Sequence, residues 1–176
     1  IRDRTLGIPW ERIARIEAID AEHEMESPLE CCARSHIAAL EQALSEDLEA
    51  VLILEDDFQL IHSERETRER WWRFLEAVPH FEIVSWAHNC LHPWGNSGSG
   101  DVRVWYLQTT SAYVVRRSAM SRLRDVYLQA LTERCPFDKF MTRIRKDVQW
   151  YAMKPALSRQ RPCFSDILGK RVDYGC

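Results

Sequence analysis

Val51-Leu52-Ile53-Leu54 runs directly into Glu55-Asp56-Asp57, so an apolar segment stops at three consecutive carboxylates. Four adjacent apolar residues, all branched, read as a strand buried on both faces, the kind found in parallel sheets with helical cover. In open α/β sheets ligands bind beyond the carboxyl ends of such strands. Carboxylates crowded there repel one another until a cation or protons relieve them. A hard divalent ion such as Mg²⁺ or Mn²⁺ suits that task, because it takes oxygen ligands and shares its remaining positions with phosphates. A solvated acidic turn is the competing reading. Phe58, Gln59 and Leu60 resume a strand-like alternation, which makes the carboxylates an interruption of an extended path rather than its end in a turn.

Working outward, Ser27-Pro28-Leu29-Glu30 carries a capping serine, proline at the first helical position and glutamate two residues later, the order of a capping box. The helix it starts has Leu29, Cys32, Ala33, His36, Ile37, Leu40 and Leu44 along one face. His36 thus falls on or beside the buried stripe, where a hydrogen-bonded structural histidine is favoured over a site residue. Ahead of this helix, residues 13–20 alternate loosely and predict a short strand and a loop.

Residues 63–78 alternate Glu and Arg, with Glu66 and Arg70, and Glu69 and Arg73, at helical i,i+4 spacing. Trp71, Trp72, Phe74, Leu75 and Val78 supply the other side, and Pro79 ends the helix. Residues 81–86 read as the next strand. The Gly/Ser-rich run 92–100 is a candidate lid or a plain connection. Residues 102–107 and 112–116 are two further strands flanking Gln108-Thr109-Thr110-Ser111, and residues 118–131 form a helix with Met120, Leu123, Val126, Tyr127 and Leu131 inward. Pro136-Phe137-Asp138 opens a short helix to about Lys146, residues 148–153 are the last clear strand, and a polar, basic tail follows. Strand and helix alternate throughout, which makes the class α/β.

With 176 residues, 45% of them hydrophobic and 29% charged, the chain suits one globular domain. A formal net charge of −3 gives no electrostatic footprint for nucleic acid. No apolar run approaches the roughly 20 residues that cross a bilayer, and the first residues are charged rather than signal-like, so a soluble, cytoplasmic protein is expected. Cysteines at 31, 32, 90, 135, 163 and 176 form no CxxC pair and read as free thiols. His88, Cys90 and His92 alternate so as to share one face of an extended segment, but a zinc site there lacks a fourth ligand in sequence.

Several segments together resemble glycosyltransferase family 25, the group of bacterial lipooligosaccharide-type transferases and procollagen galactosyltransferases. They are Arg15-Ile16-Glu17-Ala18-Ile19-Asp20, Cys32-Ala33-Arg34-Ser35-His36, residues 51–58, Thr110-Ser111-Ala112-Tyr113-Val114-Val115, Cys135-Pro136-Phe137-Asp138, and Gln160-Arg161-Pro162-Cys163-Phe164-Ser165-Asp166-Ile167. The resemblance implies a GT-A-like fold, a Rossmann-type mixed sheet with helices on both faces. It implies an inverting, metal-dependent transfer of a sugar from a nucleotide sugar, a UDP-hexose, to an acceptor hydroxyl. Glu55 and Asp57 then hold Mn²⁺ or Mg²⁺, with Asp56 beside the donor in the acidic DxD-like motif. Asp138 matches a family acid that activates the acceptor hydroxyl as general base, although the N-cap of the following helix accounts for it equally well. Gln160, Arg161, Ser165 and Asp166 look like a late loop that closes over donor or acceptor, with Arg161 pairing with phosphate. A lipid-linked acceptor would bring the protein to a membrane periphery.

Family members begin with a strand and a Leu-Asp-Arg-like stretch that helps hold the nucleotide base. This chain starts about where the first helix should be ending, so that first strand is expected to be missing. The resulting alternative is a catalytically silent GT-A-like domain that binds glycans or partner proteins. A Mg²⁺-dependent phosphohydrolase is disfavoured because no DxDx(T/V) motif is present.

Overall fold

A computed structural model describes residues 8, 10–19, 27–96, 100–136, 140–165 and 169–173. The first long helix, α1 (Pro28–Ser45), starts as its sequence dictates. Ser27 Oγ accepts from the Glu30 amide at 3.3 Å, and the Glu30 carboxylate accepts from the Ser27 amide at 3.1 Å. This reciprocal cap sets the phase of the helix, burying His36, Ile37 and Leu40 on its inner face.

The main sheet has six strands in the order β1-β6-β3-β7-β5-β4. These are β1 (Ala50–Leu54), β3 (Ile83–Ser85), β4 (Cys90–Asn96), β5 (Val102–Gln108), β6 (Ala112–Arg116) and β7 (Trp150–Ala152). Only β3 and β7 pair in parallel, and the other pairings are antiparallel. Side chains alternate between two cores. Ile53, Ile83, Tyr113, Val115, Trp150 and Ala152 pack with α1 and with α3 (Arg117–Thr132) on one face. Val84, Ala112, Val114 and Tyr151 pack with Phe74 of α2 (Glu64–Ala77) on the other. Burying residues such as Leu40 and Phe74, both fully enclosed, stabilises the fold by about 1.5–3 kcal/mol each. The chain is therefore mixed α/β with helices on both faces of a mixed sheet.

Several expectations change. The run 51–54 is not a doubly buried parallel strand: β1 lies at the sheet edge, antiparallel to β6, with Ile53 its one buried residue. Asp56 and Asp57 form a turn, closed by the Phe58 amide donating to the Glu55 carbonyl at 3.2 Å. The alternation that follows belongs to a different sheet, in which β2 (Phe58–Leu60) pairs with β8 (Ser158–Gln160). Residues 13–19 form no strand, and Trp10–Arg12 is a 3₁₀ turn. Most of the run 92–100 is strand β4 rather than a loop; residues 97–99 lie outside the described residues.

The tail adds β9 (Cys163–Ser165) and β10 (Lys170–Val172), which pair with each other. On α2 the ion pairs are Arg65–Glu69 and Arg68–Glu64 rather than the expected Glu66–Arg70 and Glu69–Arg73. Arg70 turns instead to His62 and to the carbonyls of Pro155 and Ala156. Exposed ion pairs differ so little in energy that such partner choice is decided by nearby carbonyls. No helix among the described residues is long and apolar enough to cross a membrane.

Candidate active site

Strands β1 and β3 each run antiparallel to β6, and β3 runs parallel to β7, so β1, β3 and β7 point the same way. Their carboxyl ends share one edge of the sheet, the side on which α/β folds bind ligands. Glu55-Asp56-Asp57 leaves β1 there, Asn89 follows β3, and the chain after β7 returns through β8. Thr109, Thr110 and Ser111 arrive at the same edge, just ahead of β6. The Glu55 amide extends the β1–β6 ladder by donating to the Ser111 carbonyl at 2.9 Å.

Gln160, at the end of β8, joins these segments. Its Nε2 donates to Asp57 Oδ2 at 3.2 Å and lies 3.4 Å from Glu55 Oε2. Its Oε1 accepts from Thr109 Oγ1 at 2.9 Å and from Asn89 Nδ2 at 3.2 Å. Thr109 has φ +85°, a region in which a β-branched residue is strained, and its bond to Gln160 helps hold it there.

Glu55 points inward. Its Oε1 accepts from Thr110 Oγ1 at 2.8 Å and from His36 Nε2 at 3.1 Å. The histidine side chain is 5% exposed and the glutamate side chain 22%. Tyr113 and Tyr127 are buried behind His36, and burial raises both phenol pKa values, so both stay protonated. The Tyr113 hydroxyl lies 3.0 Å from His36 Nδ1, and the Nε2 side of the ring faces Glu55. Burial alone would raise the Glu55 pKa. The hydrogen bond and charge of His36, with the Thr110 hydroxyl, outweigh it and hold the carboxyl below its ordinary value.

Asp57 meets the opposite conditions. Burial, and then the charge of Glu55, push its pKa up from 3.8 to about 6. Gln160 and the Cys163 thiol, 3.6 Å away, serve Oδ2, but Oδ1 is buried with no hydrogen-bond partner. Burial and the nearby Asp57 charge keep Cys163 a thiol by raising its pKa. An orphaned carboxylate oxygen beside a second carboxylate is the donor set a hard divalent ion completes, so these residues fit Mn²⁺ or Mg²⁺.

Of the residues picked out in sequence, Glu55, Asp57 and Gln160 meet at one point. The Asp56 side chain is exposed on the turn, and its carbonyl accepts from Arg161 Nη2 at 3.1 Å, while the Arg161 amide donates to the Asp57 carbonyl at 2.8 Å. Arg161 thus braces the acidic turn. Ser165 is the last residue of β9, opposite Lys170. Asp138 and Asp166 lie outside the described residues. His88 and His92 do not converge: His88 Nε2 donates to the Met153 carbonyl at 3.1 Å, and His92 packs edge-on against Tyr106.

Sequence reasoning placed His36 in the core, as found, but missed its bond to Glu55; it also gave Asn89, Thr109 and Thr110 no role. The available signal was the i,i+4 pair Cys32 and His36 on the face turned toward the strand end. The chain matches no family model and no curated protein.

Proposed function

We propose that this chain is a metal-dependent glycosyltransferase that moves a hexose from a UDP-sugar to an acceptor hydroxyl. The observation that carries the reading is the buried, unpartnered Oδ1 of Asp57 beside Glu55 at the ligand-binding edge of a mixed α/β sheet. Asp57 is the principal ligand for Mn²⁺ or Mg²⁺, and Glu55 adds negative charge from behind. When bound, the ion supplies Lewis-acid stabilisation of the negative charge that develops on the diphosphate as the sugar–phosphate bond breaks. Gln160 holds the two carboxylates in register, and Arg161 braces the turn that carries them. Residues 160–166 border the donor, Ser165 and Asp166 among them, and Asp138 takes the acceptor proton as the sugar is transferred with inversion.

The reading draws on the likeness of six segments to glycosyltransferase family 25 and on the fit of the acidic pair to a hard cation. Mass spectrometry of reactions containing Mn²⁺, a panel of UDP-sugars and hydroxyl acceptors tests it. Transfer from one donor, abolished by chelation, is the expected result. Absence of transfer from every donor with acceptor still bound would replace the reading by a non-catalytic glycan-binding domain.

A further inference from the structure

We propose a second cation site, behind Glu55, that takes a borderline-soft transition ion, Zn²⁺ in the first instance. Its ligands are Cys32 Sγ, His36 Nε2 and a carboxylate oxygen of Glu55. Among the described residues these three offer ligand atoms that all lie within 4.8 Å of one another. A tetrahedral ion with bonds of about 2.0–2.3 Å holds its ligand atoms roughly 3.3–3.8 Å apart, so no pair in the cluster needs to close by more than roughly 1.5 Å on binding.

The surroundings match what zinc requires. Cys32 and His36 stand one helical turn apart on α1, and Glu55 reaches them from the end of β1. Both ligands bonded through N and O already have outer partners: Tyr113 on His36 Nδ1 at 3.0 Å and Thr110 on Glu55 Oε1 at 2.8 Å. Such second contacts orient metal ligands and raise affinity about 10–100-fold. Binding releases the Cys32 thiol proton. The imidazole keeps one proton by carrying it on Nδ1, which then donates to the Tyr113 oxygen, and Nε2 is freed for the metal. Cys32 forms no disulfide and is half-buried, and three protein ligands leave a fourth position open.

The site goes beyond the proposed transferase reading, differing from the Asp57 end in ligand type: sulfur and nitrogen select zinc or cobalt, whereas oxygen alone suits Mg²⁺ and Mn²⁺. Chelator-treated protein titrated with Co²⁺ tests it without any measurement of activity. The expected result is one Co²⁺ per chain, with a thiolate-to-cobalt charge-transfer band and the visible bands of four-coordinate cobalt. Zn²⁺ bleaches these bands and millimolar Mg²⁺ does not. Cys32→Ser removes the charge-transfer band and weakens binding at least 100-fold. Cys163→Ala and Asp57→Ala leave the band in place, which separates this site from the one proposed for transfer. Co²⁺ binding without a charge-transfer band, a band that survives Cys32→Ser, or no binding of either ion would overturn the proposal.

Discussion

Glu55 and Asp57 are two residues apart at one strand end, yet the molecule treats them oppositely. Glu55 faces an ordered polar core of His36, Thr110, Tyr113 and Tyr127, and its carboxyl is held below the ordinary range. Asp57 faces a floor formed by Gln160 and Cys163, with one oxygen left over, and its carboxyl is pushed up to about 6. Neither burial nor net charge explains the difference, because both carboxyls are desolvated and both carry a like neighbour. What separates them is the kind of partner each meets: His36, through hydrogen bond and charge, and Thr110 for Glu55, against an amide and a thiol for Asp57. Glu55 is held in place by its donors, whereas Asp57 keeps one buried oxygen without a partner.

The largest effect expected from breaking this contrast is on the inner side. His36→Ala removes the donor behind a largely buried carboxylate and opens a hole between α1 and β6. Loss of one partner of a buried pair costs about 3 kcal/mol or more, which urea denaturation measures as a lower midpoint. A cost under about 1 kcal/mol would mean that water replaces the imidazole and that the inner side is no more ordered than the outer.

On the outer side the next effect falls on chemistry instead. Asp57→Ala should lower transfer at least 100-fold, about 2.7 kcal/mol at the transition state, on the scale set by removing one preorganised electrostatic group. It should not lower the denaturation midpoint. Transfer unchanged by this substitution would remove Asp57 from the proposed metal site. Tyr113→Phe ranks third: it removes the hydroxyl hydrogen-bonded to His36 Nδ1 without changing the ring, and a loss of about 1–1.5 kcal/mol of stability should follow in the same denaturation experiment.

The sequence made some of this contrast legible. The acidic strand end, the capped start of α1 and the exact span of β6 followed from local pattern, because a cap or a run of branched residues reports its own backbone. The helices on both faces of the sheet fit the α/β class that the alternation of strand and helix predicted. The edge position of β1 was not legible: four apolar residues in a row report burial but not the partner strand or its direction. Nor was the turn at Asp56-Asp57, since Phe58-Gln59-Leu60 alternates equally well in the small sheet it forms with Ser158-Arg159-Gln160. That three-residue polar strand carries almost no periodic signal, although Gln160 itself came from the family likeness. The His36–Glu55 bond spans 19 residues between a helix and a strand end, and depends on how the two pack.

The smallest expected effect is a stability gain, and its pH dependence tests the contrast directly. The folded Asp57 pKa lies above its ordinary value of 3.8, so between about pH 4 and 6 the native state binds more protons than the unfolded state. Stability contributed by this group therefore falls as pH rises through that window, and the deficit is complete above about pH 7. Glu55 has the opposite sign. Its folded pKa lies below 4.5, so its contribution is present above that value and fades as pH falls toward the folded pKa. Asp57→Asn removes one slope and keeps the other. At pH 7 it should stabilise the protein by up to about 1 kcal/mol, since Asp57 is partly exposed and solvent screens part of the shift. At pH 4 the gain should vanish. Denaturation midpoints across this range check both limbs: a gain that persists at pH 4 would trace to altered packing rather than to the charge, and no gain at pH 7 would mean that Asp57 is as well satisfied as Glu55.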